Sequence, residues 1–220
     1  MIGVIIAMQS EADILLEEMT IDQSFTVCGK QIHVGKAYGK DIVLCICGVG
    51  KVNAALGAQI LISQPEFNVD SLLNFGVAGG LNSGTQLCNV YEIKAAVQFD
   101  FDLVQLNGTK MGTLNEYEEN YLSLSSLHIG LEQKCLGTAD RFNDSQEDFK
   151  LLTKELAADI RDMEGGAIVQ TAHAASLPVY SVKAISDVAG SGSTTEQFLI
   201  NKDKALKNLK AKLPEIFEKL

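Results

Sequence analysis

Short apolar runs alternate with amphipathic stretches along the chain, and that alternation predicts its elements. Met1 to Ala7 is almost unbroken apolar sequence, as a strand buried on both faces requires. Ser10-Glu11-Ala12-Asp13 has the form of a capping box and predicts a helix through Ile14, Leu15 and Glu18. Phe25 to Ala37 and Asp41 to Cys47 predict two strands joined at Tyr38-Gly39-Lys40. Gly48-Val49-Gly50-Lys51 leads into a helix whose apolar positions Val52, Ala55, Leu56 and Ile60 fall at helical spacing. Leu72 to Phe75 predicts another strand, with Gly76 to Gly80 as a tight glycine-rich loop at its end. Val90 to Val97 reads as strand, residues 105 to 127 are polar without a clear period, and Leu127 to Leu136 is strand in part. Gly137 to Asn143 reads as a loop, and Asp144 to Glu147 as the cap of a helix through Phe149, Leu152 and Leu156. From Thr195 to Leu220 the pattern is an amphipathic helix with Leu206, Leu209, Leu213 and Phe217 on one face, which Pro214 kinks or restarts.

The segment from Asp159 to Gly190 is the most informative. A first strand ends near Glu164, and Ala167, Ile168, Val169, Thr171, Ala172 and Ala175 supply the apolar face of a helix. Leu177-Pro178 stops that helix, because proline lacks the backbone donor and restricts the residue before it. Val179 to Ile185 is β-branched and apolar, hence a second strand, followed by Ser186-Asp187. Strand, helix and strand in this order predict a right-handed unit with parallel strands. Glu164 and Asp187 then project over one carboxyl-end crevice, where open α/β sheets bind ligands. Glu11, after the first strand, is a third acid at that edge if its strand is parallel too. The competing reading is that each acid caps the helix after it.

Composition narrows the class. The chain has 220 residues, 46% of them hydrophobic, enough for one full core and a single domain spanning 1–220. Its net charge of −10 argues against nucleic acid and anionic membrane as partners. The five cysteines and three histidines show no metal-ligand spacing, so no metal is expected and the thiols read as reduced and cytoplasmic. Ile2 to Ala7 lacks a basic leader and is too short for a signal core, and no run has the length of a membrane span.

Three chemistries suit Glu11, Glu164 and Asp187 around one crevice. Two carboxylates can hydrolyse a glycosidic bond, clustered acids can hold a divalent cation, and an acid can hold a ribose diol. Metal is the weakest of these, because no Asp-x-Asp-x-Asp loop exists. Gly48-Val49-Gly50-Lys51 is not a phosphate-binding Walker loop, since Cys45 stands at its first glycine position and Val52 replaces the hydroxyl residue after lysine.

At these residues the chain resembles a known family. Ala7-Met8 with Glu11, Gly48 to Ala55, Asn74 to Gly80, Asp162-Met163-Glu164 and Ala184 to Ala189 occur in the order and spacing of the 5′-methylthioadenosine/S-adenosylhomocysteine nucleosidases of the nucleoside phosphorylase superfamily. The resemblance spans about residues 1 to 200 and is weak between 98 and 134. It implies a three-layer α/β/α sandwich with a central mixed sheet flanked by helices, a homodimer, and cofactor-free cleavage of the N-glycosidic bond of an adenine nucleoside. By this resemblance Asp187 protonates purine N7, oriented by Ser186. Glu164 accepts from the ribose 2′- and 3′-hydroxyls, and Glu11 polarises the attacking water. Met163 packs on the ribose, and Asp162 of the same tripeptide joins the substrate-binding residues. Phe142 stacks on the base, which backbone at Asn143 and at Ala78-Gly79 reads. Met8 and Val49 line the 5′-alkylthio pocket, which Leu103 and Leu106 of a partner chain complete. For Phe142, Met8 and Val49 the competing reading is ordinary core.

The chain also departs from the family pattern. Val77 stands where a serine or threonine is usual, and Lys183 where an arginine is usual, both at positions that help place the nucleophile. The segment Gly190 to Thr194 is short, and Arg141 in the base loop is unusual. Two alternatives follow. One is a phosphorylase, disfavoured because phosphate sites favour arginine forks and the chain has two arginines, although Lys183 could serve as a point charge. The other is a nucleoside-binding homologue with weak or lost catalysis.

Overall fold

The computed structural model describes residues 1–81 and 84–220. In chain order the elements are β1 (Ile2–Ile6), α1 (Gln9–Leu16), β2 (Thr20–Val27), β3 (Lys30–Ala37), β4 (Lys40–Ile46), α2 (Lys51–Ser63), β5 (Ser71–Gly80) and β6 (Val90–Gln98). They continue with α3 (Val104–Asn107), β7 (Leu122–Ser123), β8 (Gln133–Thr138), α4 (Gln146–Lys150, extended by a π-helical turn over Leu151–Glu155) and β9 (Ile160–Asp162). Last come α5 (Gly165–Ala174), β10 (Val179–Val188), α6 (Thr194–Lys210) and α7 (Leu213–Lys219).

The strands form one mixed sheet with helices on both faces, a three-layer α/β/α arrangement. β1 shows why the layers form. Ile5 enters the core cluster holding Ala54, Ala58 and Leu61 of α2 and Ile168 and Ala172 of α5. Its neighbours Val4 and Ile6 enter the other cluster, with Leu15 of α1, Leu209 of α6 and Phe217 of α7. Successive strand side chains point to opposite faces, so an all-apolar strand must be covered twice.

β1, β4, β5 and β10 run parallel. β6 is antiparallel to β10, β8 runs parallel to β6, β9 parallel to β8, and β9 antiparallel to β5. The circuit β5, β10, β6, β8, β9 returns to β5, so part of the sheet curls into a closed ring while β1, β4, β3 and β2 extend as a wing. Closure removes the exposed edges there.

Several expectations need correction. β9 and β10 are not a parallel pair: β10 is parallel to β5 and β9 antiparallel to it. Glu164 therefore reaches the crevice because β9 crosses the carboxyl end of β5, with Ile160 opposite Gly80 and Arg161 opposite Gly79. Gly76 to Gly80 is not a loop but the last half of β5, hydrogen-bonded to β10 throughout. Glycine in a strand often marks close approach of another group, as shown below. The segment from Phe25 to Ala37 is two strands rather than one, since β2 and β3 meet at Cys28-Gly29, both at positive φ. α1 begins earlier than the capping-box pattern places it, with Met8 as N-cap and Glu11 third in the helix. Pro214 opens α7 and so restarts the helix rather than kinking it.

Candidate active site

The carboxyl ends of β1, β5 and β10 and the exit of β9 surround a cavity of about 410 Å³. Glu11, Glu164 and Asp187 all lie on its wall, as do Asp162, Met163 and Ser186. Met8, Val49, Val77, Ala78, Gly79 and Phe142 line it as well. Two residues named from the sequence do not. Lys183 is buried behind the wall. Asn143 turns its side chain to Asp148 and to the backbone of Ser145. Leu103 and Leu106 also stand off this chain's cavity, Leu106 being almost fully exposed.

Glu11 is held from two sides. Its Oε1 accepts from the Val77 backbone N–H at 2.8 Å and its Oε2 from the Met8 N–H at 3.1 Å. The carboxylate lies so close over Gly76 that a Cβ there would collide with it. Burial pushes its pKa up, while Lys183 and the two backbone donors pull the other way.

Glu164 follows β9 and precedes α5. Its Oε1 accepts from the Gly50 N–H at 2.8 Å, and Gly50 has φ of 101°, a conformation suited to glycine. Burial and then the neighbouring Asp162 push its pKa to about 7, against the pull of Lys183. Asp162 is fully engaged: Oδ1 accepts from Thr138 Oγ1 at 2.6 Å, and Oδ2 accepts from the Gly165 N–H at 2.9 Å and pairs with Lys183 Nζ at 3.0 Å. Burial alone would lower the Lys183 pKa, but Asp162, Glu164 and Glu11 outweigh it and hold the ammonium above its ordinary value. One buried cation thus serves three acids, and a crowded carboxylate shifts toward its neutral form.

Asp187 is 1% exposed. Ser186 Oγ donates to its Oδ2 at 2.9 Å. Oδ1 is buried without a hydrogen-bond partner among the described residues, and Arg161 Nη2 lies 3.9 Å from it, also unpartnered. Burial raises the Asp187 pKa, opposed by Ser186 and Arg161. A carboxyl of this kind can carry a proton to a leaving group.

At the mouth, Phe142 is half exposed and meets Phe198 edge to face at 5.8 Å. Sequence reasoning missed Arg161, Thr195, Phe198 and Leu199 as wall residues. The last three fall on one face of α6 at helical spacing, a signal available in the sequence. Arg161 adjoins the recognised tripeptide, but nothing in its spacing shows that β9 aims it at Asp187. Among the described residues, no three His, Cys, Asp or Glu side chains group as a metal site would need.

Comparison with known proteins adds the following. The family described as the Phosphorylase superfamily matches residues 1–218. A 5′-methylthioadenosine/S-adenosylhomocysteine nucleosidase of Marinomonas sp. (strain MWYL1) is 31% identical over 207 residues, 87% of each chain. The crystal structure of a nucleosidase of the same name from Neisseria meningitidis, in complex with methylthio-immucillin-A, superposes with a TM-score of 0.89. It is 26% identical, and the match covers 100% of this chain and 99% of that one. A futalosine hydrolase of Helicobacter pylori strain 26695 has the same fold, with a TM-score of 0.90 at 24% identity, covering 100% of this chain and 97% of that one.

Proposed function

This chain belongs to the phosphorylase superfamily, and from that premise we propose that it hydrolyses the N-glycosidic bond of 5′-methylthioadenosine, S-adenosylhomocysteine and related adenine nucleosides. The convergence of Glu11, Glu164 and Asp187 on one cavity carries this reading. Asp187, raised by burial and oriented by Ser186, gives a proton to purine N7. Adenine leaves poorly as an anion, so that proton lowers the barrier directly. The bond from C1′ to N9 breaks with its electron pair on the base. Glu164 accepts from the ribose hydroxyls, and its charge favours the cationic sugar that develops. Water adds to C1′ and passes its proton to Glu11. Met163 packs on the ribose, Phe142 stacks on the base, Ala78-Gly79 backbone reads it, and Met8 and Val49 face the 5′ group.

Water rather than phosphate is the nucleophile in this reading. Lys183, the point charge a phosphate would use, is buried, committed to Asp162 and off the cavity wall. No cofactor is required. The chain acts as a single catalytic domain in the cytoplasm and as a homodimer. The exposed Val52 and Leu56, one turn apart on α2, and the exposed Leu106 suit an interface between copies.

The test is to offer methylthioadenosine, S-adenosylhomocysteine, adenosine and inosine, with and without phosphate, and to measure free base. Release of adenine independent of phosphate is expected. Strict phosphate dependence would make the protein a phosphorylase, and tight binding without release would make it a nucleoside-binding homologue.

A further inference from the structure

Both arginines of the chain, Arg141 and Arg161, line the cavity, and the protein holds them differently. Arg141 donates from Nη1 to the buried Asp148 Oδ1 at 2.8 Å, and its guanidinium lies over the Phe99 ring at 5.6 Å. It is anchored to its own loop. Arg161 has no such anchor among the described residues: its Nη2 is buried without a hydrogen-bond acceptor there, 3.9 Å from Asp187 Oδ1, which accepts no hydrogen bond either. A buried donor left unsatisfied is destabilising, and both residues line the cavity, so a ligand edge that reaches past the wall could satisfy them.

Gly79 makes the arrangement possible. A Cβ at that position would stand 2.9 Å from Asp187 Oδ1 and 3.2 Å from Arg161 Nε. The bare backbone lets both side chains share one face at the end of β5.

If Asp187 faces N7, as the proposed function holds and as this inference requires, the next group along that edge of the purine is the 6-substituent. In adenine it is an amino donor, which would meet the arginine N–H donor to donor. In a 6-oxopurine it is a carbonyl acceptor. Arginine is the side chain that pairs with O6 and N7 of a 6-oxopurine in nucleic-acid recognition, whereas asparagine and glutamine suit the adenine edge. We propose that Arg161 reads the 6-position of the leaving base and opens this site to 6-oxopurine ribosides, with hypoxanthine or guanine departing, beside the adenine nucleosides. As the glycosidic bond breaks, the electron pair left on such a base spreads onto O6. The Arg161 contact then strengthens toward the transition state, which is where an interaction accelerates a reaction.

The experiment compares kcat/KM for methylthioadenosine and methylthioinosine, which share the 5′ group and differ only at position 6. The parent is expected to cleave both. In Arg161→Leu the ratio of the 6-oxo to the 6-amino substrate is expected to fall by roughly 10- to 100-fold, the discrimination of one good arginine–base contact. Arg161→Lys, which keeps the charge but loses the planar fork, is expected to lose less of the ratio, and it stands in if the leucine variant does not fold. A general loss of structure would lower both rates together and leave the ratio alone. An unchanged ratio in a variant that still cleaves methylthioadenosine, or a parent that cleaves methylthioadenosine but not methylthioinosine, overturns the inference and leaves the nucleosidase reading standing. If neither nucleoside is cleaved, the nucleosidase reading falls, and calorimetric titration with hypoxanthine and adenine still decides Arg161: selective weakening of hypoxanthine in the leucine variant supports it, and equal affinities in both proteins overturn it.

Discussion

The two ends of the cavity are built on opposite principles. At the end where β1, α1 and the middle of β5 meet Lys183 of β10 and the last residue of β9, polar atoms are paired within the protein. Glu11 takes two backbone N–H groups, Asp162 takes three donors, and Lys183 is locked to Asp162. At the end formed by Arg161 of β9 and the tip of β10, Asp187 Oδ1 and Arg161 Nη2 are buried without a hydrogen-bond partner among the described residues, 3.9 Å from each other. A paired set is rigid and already in place, as preorganised catalysis needs. An unpaired set pays its desolvation in the empty site and recovers it when a ligand arrives. On the proposed reading, the first end holds the nucleophile and ribose, and the second faces the base.

The largest effect expected from this contrast is on turnover. Asp187→Asn and Glu11→Gln should each lower the rate of adenine release by at least ~10²-fold, the scale for losing a positioned acid or base. Near-normal release in either variant would remove that residue from its assigned role. Next is Lys183→Met, which strands Asp162 as an unpaired buried charge and should destabilise the fold by about 3–5 kcal/mol, read as a lower urea midpoint at unchanged slope. Adding Asp162→Asn should restore part of that loss, since the cost lies in the uncompensated charge and not in a missing contact.

A smaller effect concerns pH. Burial and Asp162 raise Glu164 from the ordinary 4.5 to about 7, so the folded state holds its proton more tightly than the unfolded chain. That stabilisation is complete below about 4.5 and is lost as pH rises through about 7. Glu164→Gln should therefore gain thermal stability relative to the parent between pH 5 and pH 8, and melting curves in which the two proteins run parallel across that range would refute it. The smallest effect is expected at Val77, whose backbone already serves Glu11. Val77→Ser adds a hydroxyl beside the nucleophile's position and should change turnover by less than about tenfold, which steady-state rates on methylthioadenosine can resolve.

The local elements were largely legible because each rests on a short-range signal. The apolar run of Met1 to Ala7, the helix after Lys51 and the stop at Pro178 need only neighbours in sequence. The glycine-rich run from Gly76 to Gly80 was misread as a loop because its glycines serve distant side chains. Gly76 makes room for Glu11 and Gly79 for Asp187 and Arg161, contacts no local pattern displays. Strand direction failed for a related reason. A helix joining β9 to β10 suggests a parallel pair, but β8 and β9 pair in the closed ring and turn β9 against β5.

By itself the sequence determined the identity of the three acids, the apolar patterns that build a layered α/β core, and the family to which those motifs belong. Tertiary structure alone decided which polar atoms would be satisfied. Glu11 finds the Val77 backbone 66 residues away, Lys183 is withdrawn from the cavity by Asp162, and Arg161 is left with an open donor beside Asp187. The physical reason is that hydrogen bonding and desolvation depend on which groups the fold brings within about 3 Å of each other in a dry interior, and that proximity is set by strand pairing across the whole chain.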